Sequence, residues 1–293
     1  MPELPEVENV RRSLAPILLN ARITGVRVLR RGFARRGGSA RPAGPRALLD
    51  GARVRAVERH GKQLAILSDD GRAIAIHLGM TGQLLWTPGR VGVGPGARAD
   101  HVHVSWLVES PASTGELRFR DPRRFGGVWT FPSFDALRRS RWSTLGPDAL
   151  AITPGGLLDA ARNSRRAIKA LLLDQAVLAG VGNIYADEAL FRARVAPHRR
   201  ADSLLHQEYT DLAAAIRAVL TASIAAGGST LRDYRDVSGS PGRFQHVHRV
   251  YARGGQPCVT CGGVLRRALV AQRTTVWCPS CQRRPLRSQP EAG

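Results

Sequence analysis

The stretch Gln63-Leu64-Ala65-Ile66-Leu67-Ser68-Asp69-Asp70-Gly71-Arg72-Ala73-Ile74-Ala75-Ile76-His77-Leu78 reads as a β-hairpin. Two runs of Ile, Leu and Ala flank Asp70-Gly71, a dipeptide that tolerates the positive φ of a tight hairpin turn. Working outward, further short strands are expected over Ile23 to Leu29, Arg53 to Glu58, Val102 to Leu107, Glu116 to Arg120 and Val128 to Phe131. Several alternate apolar with polar residues, so they suit a sheet with one buried face. Short strands joined by turns pack as an antiparallel sandwich. Two Gly/Pro/Arg-rich stretches, Arg31 to Pro45 and Pro88 to Arg98, read as long loops inserted in it.

Ahead of the first strand, Met1-Pro2-Glu3-Leu4-Pro5-Glu6 starts a helix. Pro5 suits the first turn, Glu6 and Glu8 suit its positive end, and Val7, Val10, Leu14, Ile17 and Leu18 recur with helical spacing. The same residues carry chemistry. Removal of Met1 leaves Pro2 as a terminal secondary amine with Glu3 beside it. Such an amine attacks an electrophilic carbon, for example the C1′ of a sugar, and forms an iminium that acts as an electron sink. A plain helix start also explains the hexapeptide, and the two readings do not compete.

From Ser133 the pattern turns helical, with helices expected over Pro154 to Asn163, Arg165 to Gln175, Asn183 to Arg192, Ser203 to Ala226 and a short Ser229 to Tyr234. Ala179-Gly180-Val181-Gly182-Asn183 is a tight glycine turn leading into a helix with Asn183 at its cap, where free N–H groups suit a phosphate. From spacing alone an ordinary helical hairpin is the plainer reading. Further on, Cys258-x2-Cys261 and Cys278-x2-Cys281 match one tetrahedral structural zinc with no open position for catalysis. Arg266, Arg267 and Arg273 lie between the two knuckles, which gives the hairpin they clamp a positive charge to set against a phosphate backbone.

The 293 residues suffice for two domains, and a net charge of +21 with a pI near 11.5 points to a polyanionic partner. A membrane surface is the competing anion. No apolar run approaches the roughly 20 residues of a spanning helix, and the charged N-terminus lacks a signal-peptide core, so a soluble intracellular protein is expected. Of the 44 basic residues only Lys62 and Lys169 are lysines. A lysine retained among so many arginines suggests a task that a permanently protonated guanidinium does badly, such as proton transfer, although chance survival explains either one.

Five segments in this order resemble the formamidopyrimidine-DNA glycosylase family end to end: Met1 to Glu8, His77-Leu78-Gly79-Met80-Thr81-Gly82, Asp121-Pro122-Arg123-Arg124-Phe125-Gly126, Gly180-Val181-Gly182-Asn183-Ile184-Tyr185-Ala186 and the cysteine quartet. The resemblance implies an α+β protein: an N-terminal antiparallel β-sandwich with a flanking helix (1–132), a linker (133–152), a helix-two-turns-helix domain (153–245), a zinc finger (246–283) and a tail (284–293). It implies a base-excision repair enzyme that removes oxidised purines, 8-oxoguanine and formamidopyrimidines, from duplex DNA and then cleaves the strand as an apurinic/apyrimidinic lyase. Its partner is double-stranded DNA with an oxidised base or abasic site, its one metal is a structural zinc ion on Cys258, Cys261, Cys278 and Cys281, and it acts as a monomer in the bacterial cytoplasm, at the nucleoid.

Roles follow where residues match. Pro2 is implied as the Schiff-base nucleophile, Glu3 as its proton donor and acceptor, Glu6 as a second, structural carboxylate, and Lys62 as proton donor in β-elimination. Met80, Arg123 and Phe125 match the trio that fills the gap when a nucleotide is turned out of the stack, a step that costs a few kcal/mol. Without the resemblance, Met80 and Phe125 would be read as core. Arg124 and Asn183 are implied as backbone contacts, Arg273 as the zinc-finger arginine linked to δ-elimination, and Lys169 and Arg232 as further DNA contacts. The chain departs at Ala99, where many members have a histidine, at Arg232, where relatives often carry lysine, and around His246 and His248. Two rivals remain: an endonuclease VIII-like glycosylase for oxidised pyrimidines, and a non-catalytic zinc protein that binds damaged DNA.

Overall fold

The computed structural model describes residues 2–89, 100–110 and 113–283. Ala99, most of the Pro88 to Arg98 loop and the tail 284–293 lie outside the described residues. Two compact units emerge, one from Met1–Asp148 and Thr221–His246, the other from Ala149–Leu220 and Val247–Gly293.

The first unit opens with helix α1 (Leu4–Leu18). Strands β1 (Arg22–Val28), β2 (Ala34–Arg36), β3 (Val54–His60), β4 (Gln63–Ser68), β5 (Ala73–His77), β6 (Gln83–Pro88), β7 (Val102–Glu109), β8 (Thr114–Arg120) and β9 (Gly127–Phe131) follow, and helix α2 (Phe134–Ser140) closes the run. They form a four-stranded sheet in the order β1-β7-β8-β6 and a five-stranded sheet in the order β2-β9-β5-β4-β3. All pairings are antiparallel except β2 with β9. The opening hairpin is β4 paired with β5, Leu64 opposite Ile76 and Leu67 opposite Ala73.

Its near-continuous apolar sequence has a physical cause. Leu64, Ile66, Ile74 and Ile76 face the sandwich core with Val7, Val10 and Leu14 of α1 and Trp106 and Phe119 of the opposite sheet. Ala65, Leu67, Ala73 and Ala75 face the other way, against Phe131 and Leu137. Successive strand residues point to opposite faces, so a strand covered on both sides is apolar throughout. The alanines lie on the face covered by α2.

Three expectations need correction. The Arg31 to Pro45 stretch is not all loop, because Ala34–Arg36 adds β2 to the sheet edge. The strand β6 and the helix α2 stand outside the expected elements. Ser229 to Tyr234 is not a helix: Ser229 N–H donates to Glu6 Oε1 at 2.7 Å and Thr230 N–H to Gln245 Oε1 at 2.9 Å. Those backbone donors are satisfied by distant side chains, and no helical ladder forms.

The second unit contains α3 (Pro154–Ala161), α4 (Ile168–Leu173), α5 (Asn183–Arg192) and most of α6 (His206–Ala225), then the hairpin of β10 (Arg266–Val270) and β11 (Arg273–Trp277). Leu171, Leu172, Tyr185, Leu190, Tyr209, Leu212 and Ile216 supply buried apolar area. No helix among the described residues is long and apolar enough to cross a membrane.

Candidate nucleic-acid and catalytic sites

In the first unit Pro2 and Glu3 are buried at the head of α1. Glu3 is the N-cap, and its N–H donates to Glu6 Oε2 at 2.8 Å, one arm of a capping box. The other oxygen of Glu6 takes the Ser229 N–H, and Tyr234 Oη donates to the Glu6 carbonyl at 3.3 Å. Glu6 therefore ties the helix start to the 228–234 segment, which presents Arg232 at the surface. Gly228 sits here with φ +85, where an added Cβ would come within 2.9 Å of Glu6 Oε1. Any side chain at 228 would collide with this tie.

Lys62 occupies the two-residue turn between β3 and β4, buried, next to Gly61 with φ 55. Neighbouring charges clamp this turn. Gly61 N–H donates to Asp148 Oδ2 at 2.9 Å, and Arg59 pairs with Asp148 at 2.6 Å and with Glu8 of α1 at 3.0 Å. Burial alone would raise the Glu8 carboxyl, but hydrogen bonds from Arg11, Arg12 and Arg59 overcome it and hold the group down to about 2. The helix bearing Pro2 and Glu3 and the turn bearing Lys62 thus share one charged network. His77 lies close by; burial first, then the cations Arg141 and Lys62, push it down to about 4, and its Nδ1 accepts from Gly79 N–H at 3.2 Å. It is a neutral imidazole at working pH.

Two loops cross at the next position. Asp121, fully buried, accepts from Thr81 Oγ1 at 2.5 Å and from Gly126 N–H at 2.8 Å, and Arg123 N–H donates to Thr81 Oγ1 at 3.2 Å. This knot holds the Met80 loop against the Arg123–Phe125 loop, and Gly79, with φ +64, permits the close approach to Gly126. Met80 is 41% and Phe125 53% exposed, so neither is core. The Arg123 guanidinium lies 4.6 Å over the Phe125 ring. Arg124 is exposed at φ 58. A cavity of about 620 Å3 joins Arg31, Arg35, Arg123, Arg124, Phe125 and Trp129.

In the second unit α5 is capped by Gly182, with Asn183 its first helical residue; Asn183 is not the cap. Asn183 Nδ2 donates to the Thr274 carbonyl at 3.0 Å. Arg273 begins β11 at the exposed end of the hairpin, after Ala271 and Gln272 with φ 52 and 58. Lys169 is not at the surface. It is fully buried, 2.7 Å from Asp187 Oδ1, and its Nζ donates to Thr275 Oγ1 at 2.8 Å and the Thr274 carbonyl at 3.3 Å. In this structure Lys169 binds β11 beside Arg273 and does not reach the surface. Burial lifts the Asp187 carboxyl to about 6 against the pull of Lys169.

Residues that pattern reading missed are mostly carboxylates receiving backbone N–H groups. Glu188 takes those of Arg249, Val250 and Tyr251 at 2.8 to 3.1 Å, and Asp187 takes that of Val276 at 3.1 Å. The available signal was Asp187-Glu188 directly after the glycine-turn motif, on a helix otherwise apolar there. His246 is exposed, and His248 is buried with its ring edge-on to Tyr251.

The four cysteine sulfurs lie within 4.8 Å of one another, with Cys258–Cys281 at 3.9 Å and Cys261–Cys278 at 3.5 Å. Zinc–sulfur bonds of about 2.3 Å in a tetrahedron give sulfur separations near ~3.8 Å, so the quartet fits one structural zinc ion.

Comparison with known proteins agrees with this geometry. Residues 1–128 match the formamidopyrimidine-DNA glycosylase N-terminal domain, 145–235 its H2TH domain, and 255–284 the zinc finger found in these glycosylases and isoleucyl-tRNA synthetases. The formamidopyrimidine-DNA glycosylase of Xanthomonas campestris pv. campestris is 43% identical over 97% of this chain and 100% of its own. Among solved structures, the MutM (Fpg) protein of Thermus thermophilus is 40% identical with a TM-score of 0.80, covering 96% of this chain and 98% of that one. A Lactococcus lactis Fpg variant in complex with Fapy-dG-containing DNA is 29% identical with a TM-score of 0.84, covering 97% and 100%.

Proposed function

Since this chain belongs to the formamidopyrimidine-DNA glycosylase family, we propose that it excises oxidised purines from duplex DNA and cleaves the strand as an apurinic/apyrimidinic lyase. The carrying observation is the anchored Pro2-Glu3 terminus: a capping box and the Glu6 tie hold it at the head of a packed helix. An anchored amine loses little entropy on meeting its target, which is what proximity catalysis requires.

In this reading Met1 is removed and the Pro2 nitrogen attacks C1′ as the glycosidic C–N bond breaks, the bonding pair leaving with the base, which takes up a proton; the nitrogen then gives up its own proton, the C1′–O4′ bond opens with O4′ taking a proton, and the ring-opened iminium results. Glu3 handles protons at the sugar. The iminium acidifies the C2′ hydrogens, and loss of one expels the 3′ phosphate by β-elimination. Lys62 donates a proton in that step. Loss of a C4′ proton then expels the 5′ phosphate, gripped by Arg273, and hydrolysis of the iminium frees the sugar remnant and leaves a one-nucleotide gap.

Met80, Arg123 and Phe125 enter the duplex where the nucleotide has left, and their exposure on knotted loops suits a wedge. The cationic cavity of Arg31, Arg35 and Arg124 beside the wedge suits phosphates of the bound duplex. Asn183 and Arg232 add contacts. Zinc supplies folding free energy and rigidity to the hairpin that carries Arg273, and takes no part in bond making. A cytoplasmic, nucleoid-associated location belongs to the same proposal.

Borohydride trapping on an 8-oxoguanine duplex tests it. A covalent adduct is expected from Met1-processed protein and none from Pro2→Gly, which still binds the duplex. No adduct from processed parent protein refutes the mechanism. Release from thymine glycol exceeding that from 8-oxoguanine would move the chain to the oxidised-pyrimidine class.

A further inference from the structure

Arg266 and Trp277 pair at the end of the zinc hairpin opposite its Ala271-Gln272 turn. There they border a cavity of about 820 Å3, lined also by His198, Arg199, Arg200 and Arg283. The excision chemistry above uses none of these residues. Arg199 is held by Glu208, and Arg200 pairs with Asp202 at 2.6 Å, so both of those charges are compensated. Arg266 and Arg283 are exposed and make no ion pair among the described residues. Two uncommitted guanidinium groups match the double charge of a phosphomonoester, whose oxygens accept forked N–H pairs.

A second observation is independent of surface charge. Trp277, half-buried, lies with its ring edge-on to His198 at 5.6 Å between centroids. An indole in a cationic cavity is a stacking platform for a base, whereas an acidic peptide would match the charge and leave the flat surface unused. The volume exceeds what an inorganic anion needs and falls within the range of small-ligand sites.

We propose that this cavity binds a nucleoside monophosphate group, free or as the phosphorylated end of a single DNA strand, with the base on Trp277 and the phosphate between Arg266 and Arg283. The site lies wholly in the second unit, so the proposal stands whether or not Pro2 is the nucleophile.

Calorimetric titration of the zinc-loaded protein tests it, with thymidine 5′-monophosphate, dithymidylate with and without a 5′-phosphate, inorganic phosphate and hexaglutamate as probes. The phosphorylated dinucleotide is expected to bind about tenfold more tightly than its unphosphorylated form. The double variant Arg266→Ala/Arg283→Ala, both positions being exposed, should lose about that factor, and Trp277→Leu roughly fivefold. Pro2→Gly should bind like the parent, which separates this site from excision. Equal affinity for the monophosphate and the phosphorylated dinucleotide identifies a free-nucleotide site, and tighter dinucleotide binding a strand-end site; both support the proposal. Inorganic phosphate or hexaglutamate binding as tightly as the nucleotide overturns it, as does undiminished binding by the double variant.

Discussion

Replacing Lys169 with methionine tests whether this lysine acts from inside the protein. The substitution nearly preserves volume but removes the ammonium 2.7 Å from Asp187, at a site where both side chains are fully buried. Removing one partner of a buried pair costs about 3–5 kcal/mol, because the other charge is left uncompensated. The cost has a ceiling, since Asp187 can protonate. From an unfolded carboxyl near ~3.9, that takes about 4 kcal/mol at pH 7 and about 1.5 kcal/mol at pH 5.

The sign follows from the direction of the shift: burial already raises the folded carboxyl to about 6, and loss of Lys169 raises it further. The folded variant therefore holds a proton that the unfolded chain releases, and its stability falls as pH rises above the unfolded value. Urea unfolding of the zinc-loaded protein, with hydrogen exchange resolving α4, α5 and β11, should show a deficit of about 3–4 kcal/mol at pH 7 that shrinks by roughly 2 kcal/mol at pH 5. Lys169→Met/Asp187→Asn should recover most of it, because no lone charge remains buried. A single variant within about 0.5 kcal/mol of the parent, with duplex affinity reduced tenfold, would refute the reasoning and return Lys169 to the surface.

Glu8→Gln removes the carboxylate that Arg11, Arg12 and Arg59 hold down to about 2. A depressed carboxyl stabilises above its unfolded value and loses that contribution as pH falls from about 4.5 to 2, so the variant should lose about 2 kcal/mol at pH 7, discounted for partly exposed Arg11 and Arg12, and show a flatter acid-unfolding curve over that window. Phe125→Ala deletes a ring that is half exposed, so thermal stability should stay within about 0.5 kcal/mol while single-turnover base release falls at least about tenfold; a large stability loss would place the ring in the core. Stripping zinc with a chelator, or Cys261→Ser, should abolish hydrogen-exchange protection in β10 and β11 and weaken duplex binding, with protection in the β4–β5 hairpin unchanged.

Much of the site was legible because it is local. The helix start marked by Pro5, Glu6 and Glu8, the two cysteine knuckles and the glycine turn before α5 are short-range features whose chemistry is carried by residue type and spacing. The β4–β5 hairpin was legible for the same reason, its turn and both strands being contiguous. The short strand β2 was not, since three residues with two arginines gain strand structure only by pairing with β9. Ser229 to Tyr234 looked helical by composition, yet Glu6 and Gln245 take its first amides.

The sequence by itself determined which chemistry is present: a proline that can become terminal, a four-thiolate metal set, an excess of arginine and two lysines among them. Only the tertiary structure decided where each charge resides. Lys169 and Lys62 look alike in the sequence, but Asp187, eighteen positions beyond Lys169, meets its ammonium in the interior, while Lys62 sits on a turn clamped by Asp148. Met80 and Phe125 look like core residues and are surface residues, because Asp121 knots their loops outward. Burial of a charge and exposure of an apolar ring both depend on partners distant along the chain, and spacing along the chain does not encode distance in space.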